Sequence, residues 1–295
     1  MDNKNEVREF LTSRRANLTP EKAGVPGGGN RRVAGLRRGE VAALAGVSVE
    51  YYAKLERGNI AGASESVLHA IAQALQLTDA EREHLADLAR AANTTRATIP
   101  RRRAGKSTVL RPGIQLMLDA ITGGPAVVRN GRMDILATNL LGRAFHAETF
   151  AAPGEGNIAR YTFLDPRAQS FYPNWETAAD IVVAILRTEA GRDPFNKAIQ
   201  DLVGELSTRS DEFRIRWSKH NVRWHGAGTK SFHHPVVGDL TFAYEDMQFI
   251  QHHGLTFLIY VPEPGSPSEE RTRLLASWQA TTDTSTSVDP ARSSR

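Results

Sequence analysis

Histidines are the first residues to consider for chemistry, because they are concentrated in one part of the chain. Six of the nine lie between His220 and His253, and four of them form the adjacent pairs His233-His234 and His252-His253. If these segments are extended, the two members of a pair point to opposite faces. This spacing favours structural or pocket histidines over metal ligands. We therefore predict no metal site.

Carboxylates near these histidines raise the question of acid–base catalysis. Asp239, Glu245 and Asp246 follow His234 in the chain. No nucleophile with a spaced base and an orienting group accompanies them. The sequence contains no cysteine, which excludes disulfides, thiolate zinc sites and cysteine catalysis. We predict no catalytic residues, no cofactor and no enzymatic activity.

Charge is distributed unevenly along the 295 residues. Residues 1–106 contain 18 Lys/Arg and 12 Asp/Glu, whereas the remainder contains 19 and 21. A basic front half suggests a module that binds a polyanion, and charge alone does not distinguish DNA from RNA or a membrane surface. The length allows two domains. No apolar run is long enough to span a membrane, and residues 1–6 lack a signal-peptide core, so we expect a cytoplasmic protein.

Residues 37–58 have the pattern of two short helices joined by a tight turn. Val41 and Leu44 belong to an apolar face, Gly46 suits a helix end with positive φ, and Ser48 is placed as an N-cap. Gly58 would stop the second helix. A helix of about ten residues is roughly 15 Å long and fits the major groove of DNA. The pattern predicts a helix-turn-helix.

Base contacts would come from the front of the second motif helix. Val49 suits a thymine methyl, Glu50 a cytosine amino group, and Lys54 a guanine or a phosphate. For Glu50, the alternative is interaction with the helix dipole alone. The remaining DNA-binding candidates are Ser48, Tyr51, Ala53, Arg31, Arg32, Arg37, Arg38 and Arg57. Each arginine either contacts phosphate or is simply solvated.

We expect two other residues of the motif to have structural roles. We expect Glu56 to pair with an arginine and Tyr52 to lie in the core. The Gly- and Pro-rich segment 18–35, which contains Arg31-Arg32, is either a flexible spacer or a loop held against phosphate.

The expected fold class is α followed by α+β. We expect a five-helix helix-turn-helix domain over 1–93, with a capping box at Thr78 to Glu81, and a basic linker over 94–107. The linker carries Arg101-Arg102-Arg103, which could add affinity for phosphate. A second domain over 108–279 and a disordered tail over 280–295 complete the chain.

The second domain combines strands with helices. Asn130-Gly131-Arg132 predicts a hairpin between two short apolar runs. Helices are predicted over 176–189, 195–206 and 268–279, and strands over 229–233, 240–244, 247–251 and 255–261. This pattern predicts one antiparallel sheet with helices on one face, as in PAS-like sensor domains.

Leu36 to Leu77 resembles the Cro/CI-type helix-turn-helix of the XRE family of bacterial transcription regulators. The resemblance rests on residues 40–42, 45–48 and 55–58, followed by the stripe Leu68, Ile71, Ala72 and Leu75. The family often has Thr-Gln where Arg37-Arg38 stand, which favours phosphate contact here and puts the local cap geometry in question.

The whole chain resembles the MmyB-like subgroup of that family over about residues 5–277. The resemblance is carried by residues 31–38, 46–52, 217–223, 234–240 and 263–268. It implies a PAS-like second domain that binds a small lipid-like ligand, for example a fatty-acid-like molecule.

Candidate ligand contacts combine aromatic side chains with a few polar anchors. Buried aromatics mostly fill core, but some would face a ligand in an apolar pocket. The aromatic candidates are Trp175, Trp217, Phe242, Tyr244 and Phe257, and the polar anchors are His220, Arg223 and His234.

The sequence as a whole predicts a sequence-specific transcription regulator. It would bind a double-stranded DNA operator as a homodimer, with half-sites about 34 Å apart or a multiple of it. A small-molecule effector would change the dimer geometry. The alternatives are an enzyme tethered or dimerised by its helical domain, and a module that binds a protein partner through basic helices.

Overall fold

The computed structural model describes residues 3–26, 31, 33–94, 110–152, 156–222, 226–250 and 254–286, with side chains as far as residue 281. Arg32, residues 101–106, Arg223, His252 and His253, all named above, lie outside this described part. Among the described residues the helices and strands are, in chain order, α1 (Asn3–Asn17), α2 (Arg38–Leu44), α3 (Val49–Glu56), α4 (Glu65–Ala74), α5 (Asp79–Asn93), α6 (Pro112–Ala120), β1 (Ala126–Asn130), β2 (Ile135–Thr138), α7 (Leu140–Phe145), α8 (Ala147–Ala151), α9 (Ile158–Leu164), α10 (Ala168–Phe171), α11 (Trp175–Arg192), α12 (Lys197–Arg209), α13 (Asp211–Ser218), β3 (Ala227–His234), β4 (Gly238–Gln248), β5 (Leu255–Pro262) and α14 (Pro267–Thr286).

Backbone packing divides the chain into two compact units. The helical unit contains Met1–Gly105 together with Val183–Trp224, and the sheet unit contains Lys106–Val182 together with His225–Arg295. The expected second domain over 108–279 is therefore interrupted by 183–224. The reason is that this segment packs on the N-terminal helices through buried charged groups, which no local sequence pattern indicates.

Local capping signals set the helix boundaries of the helical unit. The Ser48 Oγ accepts a hydrogen bond from the Tyr51 amide at 3.1 Å and begins α3. At α5, the Glu81 carboxylate accepts from the Thr78 amide at 2.8 Å while the Thr78 hydroxyl accepts from the Glu81 amide. This is the expected capping box, and it satisfies two amides that have no partner inside the helix.

The core of the helical unit is an apolar cluster to which α1, α3 and α5 contribute Phe10, Tyr52 and Leu88. The later segment contributes Val222 to the same cluster. Gly58 ends α3 with a φ of +91°, and a Cβ there would overlap the carbonyl oxygen of Lys4. Only glycine allows this close approach between the end of α3 and the start of α1.

The sheet unit is built on a five-stranded antiparallel sheet in the order β2-β1-β5-β4-β3. The hairpin at Asn130 to Arg132 joins β1 and β2, as expected. The single antiparallel sheet with flanking helices agrees with the PAS-like arrangement. The expectation that the helices lie on one face is wrong, because α6 packs against the opposite face through Val128 and Phe257. The separate strands expected over 240–244 and 247–251 are wrong, because β4 runs without a break from Gly238 to Gln248.

The two faces of the sheet pack against different helices. The face that we call the inner face carries Phe232, Phe242 and Tyr260, which share a core with residues of α7, α10 and α14. The opposite, outer face carries Val128 and Phe257 against α6. Because side chains alternate along a strand, this division fixes which residues can share a site.

Helix α14 continues beyond its expected end. It runs to Thr286, so the expectation of disorder is wrong for 280–286, and the rest of the tail lies outside the described residues. Gln279 is buried whereas Ala280 and Thr281 are exposed, so packing stops near Gln279 although the helix itself extends further. In the described part of the chain, no helix combines the length and apolar character needed to cross a bilayer.

Candidate nucleic-acid interface and ligand-binding face

Helix α3 presents a mixed apolar and polar face to solvent. Val49 is 45% exposed, and Glu50 and Lys54 are also exposed. Tyr51 and Ala53 are half-buried, whereas Tyr52 lies in the core as expected. The structure therefore brings the three base-reading candidates together at the front of one helix.

The start of α2 lies beside the start of α3. A Cβ placed at Gly39 would be 3.9 Å from the Val49 Cγ2 atom. Arg37 precedes α2 and Arg57 follows α3, and both are exposed. Among the described residues, neither arginine forms an ion pair, and neither does Lys54. These three cations are therefore available to a polyanion.

Glu56 joins three helices through one buried carboxylate. Its side chain is 1% exposed and accepts hydrogen bonds from Arg15 of α1, Arg38 of α2 and the Tyr52 hydroxyl, the last at 3.4 Å. The expected arginine partner of Glu56 is thus two arginines. The hydrogen bond to Glu56 raises the pKa of Arg38, and burial raises the pKa of Tyr52. Arg38 remains 54% exposed, so it both braces α3 and faces solvent.

Arg31 is held within the protein. Its guanidinium donates to both oxygens of Glu40 at 2.9 and 2.8 Å, and its side chain is only 16% exposed. Glu40 also accepts from the Arg37 amide at 2.6 Å, so it caps α2 in place of the side chain at that position. Hydrogen bonding from Arg31 lowers the pKa of Glu40. This arrangement answers the question of cap geometry raised by Arg37-Arg38.

A second buried network in the helical unit contains two of the ligand candidates. Arg187 of α11 is fully buried, pairs with Glu6 of α1, and lies 2.8 Å from the His220 Nδ1 atom. Its guanidinium carbon lies 4.1 Å from the centre of the Trp217 ring. Helix packing therefore places Trp217 and His220 in the helical unit, and their expected contacts with a ligand stay predictions.

The same network contains three groups with metal-ligand chemistry. Ligand atoms of Glu6, Glu9 and His220 lie within 4.8 Å of one another. Arg187 already provides positive charge between Glu6 and His220. Burial raises the pKa of Glu6, but the His220 hydrogen bond and the Arg187 charge outweigh it and leave the pKa at about 2. An ion pair is the chemistry that this trio supports.

Four ligand candidates lie on or beside the inner face of the sheet. Phe242 and Tyr244 are buried in the aromatic core, and Trp175 packs at its edge while its Nε1 donates to the Thr162 carbonyl at 2.9 Å. His234 is buried, with its Nδ1 accepting from the Val236 amide and its Nε2 facing the Ala144 carbonyl. Burial lowers the pKa of His234. Both of its ring nitrogens therefore have structural partners.

Phe257 does not belong with these residues. It lies on the outer face against α6, one residue out of phase with Leu258 on the inner face. The sequence pattern does not indicate the face of Phe257, because both faces of β5 are covered and the run 255–261 is apolar throughout; its expected ligand contact stays a prediction. The remaining candidate, Arg223, lies outside the described residues.

Sequence reasoning overlooked a charged cluster on the inner face. Lys230, Arg129 and Asp246 reach this face from β3, β1 and β4, and His146 is buried nearby with no hydrogen-bond partner for either ring nitrogen among the described residues. The alternation of β3 was a usable signal. It places Lys230 on the same side as Phe232 and His234.

Comparison with known families accounts for both units. A family model described as the MmyB-like transcription regulator ligand binding domain matches residues 110–275. A helix-turn-helix domain model matches residues 10–85. No curated protein matches the chain. The first match alone covers more than half of the sequence, and the two together agree with the two kinds of site described above.

Proposed function

Because the chain belongs to the MmyB-like family of transcription regulators, with a DNA-binding helix-turn-helix and a ligand-binding domain, we propose that it binds an operator as a homodimer under the control of a small apolar or lipid-like effector. Val49, Glu50 and Lys54 read bases, while Arg37 and Arg57 hold the helix on the phosphates. The effector binds at the inner face of the sheet. It acts by favouring one dimer geometry, since a ligand shifts DNA affinity only through different affinities for two states.

The observation that carries this proposal is the front of α3. The side chains of a valine, a glutamate and a lysine are exposed there on one short helix. Tyr52 and Leu55 hold the other side of that helix in the core. Base edges in the major groove present methyl groups, donors and acceptors that these three side chains can match. The exposed arginines at Arg37 and Arg57 supply the sequence-independent attraction.

The test uses a random-sequence duplex, because the operator is unknown. Fluorescence anisotropy of the full chain is measured between 50 and 200 mM salt. Removing one phosphate-binding cation should reduce the slope of log affinity against log salt by about 0.9. We expect this reduction for Arg37→Ala. The matched control is Arg82→Ala, an exposed arginine on α5 that pairs with Asp79.

Binding that does not depend on salt, or an equal reduction in Arg37→Ala and Arg82→Ala, would contradict the proposed interface. Native mass spectrometry of the purified protein tests the remaining parts. It should give the mass of two chains, with or without a retained small molecule. A monomer at micromolar concentration in the presence of duplex would refute the homodimer.

A further inference from the structure

One end of the inner face gathers charged groups from three strands. Along β3, Lys230 alternates to the same side as Phe232, and its strand partner is Phe242. Along β4, Asp246 follows Tyr244 on that side. Along β1, Arg129 shares the side of Val127. Register and alternation therefore bring these groups to one place beside the aromatic core.

The charges in this cluster do not balance. Arg129 and Asp246 form an ion pair at 2.8 Å and are 5% and 6% exposed. The second carboxylate oxygen of Asp246 has no hydrogen-bond partner among the described residues. In the same described part of the chain, the Lys230 amine forms no ion pair and lies 4.0 Å from the centre of the Tyr244 ring and 5.6 Å from that of Tyr260. Two cations thus accompany one anion.

The other titratable groups facing Lys230 do not supply the missing negative charge. Burial raises the pKa of Tyr244 and of Tyr260, so both phenols are neutral near pH 7. Burial lowers the pKa of His146 to about 3, so that imidazole is neutral as well. Burial also lowers the pKa of Lys230 to about 7, although the Asp246 charge opposes the shift. A partly buried ammonium without an ion pair is costly, and a further anion beside it would offset that cost.

We infer that this cluster is the head-group subsite of the effector site: it takes an oxyanion on the effector, held by Lys230 and Arg129. The inference rests on the proposed function, since it assumes that an effector binds at the inner face. The aromatic side chains next to the cluster would hold the apolar part of the same molecule. Carboxylate, sulfonate and phosphate groups share the required chemistry.

Two dyes of nearly identical shape provide the test. 1-Anilinonaphthalene-8-sulfonate carries an oxyanion, and N-phenyl-1-naphthylamine is the same ring system without it. Fluorescence titration of the full chain measures the affinity for each dye at pH 6 and pH 8. With a pKa of about 7, the protonated fraction of Lys230 falls about tenfold over this range. We expect the sulfonate to bind about tenfold more weakly at pH 8, with no change for the neutral dye.

Two variants separate charge from fold. Lys230→Met should weaken the sulfonate about tenfold at pH 6 and abolish its pH dependence, while the neutral dye binds as before. Lys230→Arg keeps the charge across this pH range, so it should retain the sulfonate with no pH dependence. If Lys230→Met fails to bind the neutral dye because it does not fold, the pH profile of Lys230→Arg decides.

The outcomes distinguish this inference from the proposed function. If the neutral dye binds, and the sulfonate binds the wild type and Lys230→Met with equal affinity, then the head-group subsite alone is overturned. A sulfonate affinity that is the same at pH 6 and pH 8 in the wild type would contradict the role of Lys230 as the cation that holds the oxyanion. Binding of neither dye to the wild type would count against an apolar effector site at the inner face, and with it against both.

Discussion

Removal of the Glu56 carboxylate tests how the DNA-binding helices are held together. In Glu56→Ala, Arg15 of α1 and Arg38 of α2 lose their common partner. Arg15 is the more buried of the two, and it keeps its hydrogen bond to the Leu36 carbonyl at 2.8 Å. Breaking a buried ion pair from one side costs about 3–5 kcal/mol. Because Arg38 is half exposed and can be hydrated, we expect the lower end, about 3 kcal/mol.

The matched control removes a partner from the exposed side of the same network. Arg38→Ala leaves Glu56 paired with Arg15, and because the Arg38 side chain is 54% exposed, we expect its pairing with Glu56 to contribute about 1 kcal/mol or less. The free energy of opening should therefore fall by about 3 kcal/mol in one variant and by about 1 kcal/mol in the other. At about 1.4 kcal/mol for each factor of ten, these values correspond to roughly 150-fold and fivefold changes in opening equilibrium.

Hydrogen–deuterium exchange in the intact chain measures both variants, because local opening is reported peptide by peptide. Peptides covering α1 to α3 should lose about two orders of magnitude of protection in Glu56→Ala. Peptides from the sheet unit act as an internal reference and should not change. If the two variants lose equal protection, or Glu56→Ala stays within fivefold of wild type, then the buried carboxylate is not what holds the three helices together.

Two further predictions concern base reading and pH. Lys54→Ala should relax preference at one operator position by about 1–3 kcal/mol, whereas Arg57→Ala should weaken all sequences alike; selection from a random duplex pool checks this, and a uniform effect of Lys54→Ala would contradict its base contact. Burial lowers the pKa of His84 to about 3, so the unfolded chain binds its proton first. Stability that is complete well above pH 6.5 should therefore fall by about 2 kcal/mol between pH 6.5 and 4.5. Thermal melts of the wild type and His84→Gln should show this, with a flatter pH profile in the variant; identical slopes would rule out His84 as the titrating group.

Local signals in the sequence were sufficient for the DNA-binding helices. Ser48 and Thr78 cap helices where their side chains can reach free amides, and Gly58 stops α3 where only glycine fits. The helical period correctly places Tyr52 in the core and Val49 in solvent. Each of these decisions involves residues no more than a few positions apart, so a pattern in the chain expresses them.

Contacts between residues that are far apart in the sequence could not be predicted. Glu6 and Arg187 are 181 positions apart, and nothing near either residue indicates the other. The same cause explains why 183–224 joins the helical unit and why Trp217 and His220 are absent from the sheet. Asp246 interrupts the apolar alternation of β4, so the sequence pattern predicted two strands where the structure has one. The buried partner of Asp246 is Arg129, which lies 117 positions earlier.

The interrupted helical unit has a consequence for how this protein can be cut or recombined. A fragment ending at Gly105 would contain every helix of the DNA-binding fold but not Arg187, Gly191 or Val222. Glu6 would then lose its counter-ion, and His84, which packs against Gly191, would be uncovered. The helix-turn-helix is therefore not a transferable cassette. Gene fusions that exchange the front of the chain must carry, or rebuild, the later segment that completes its core.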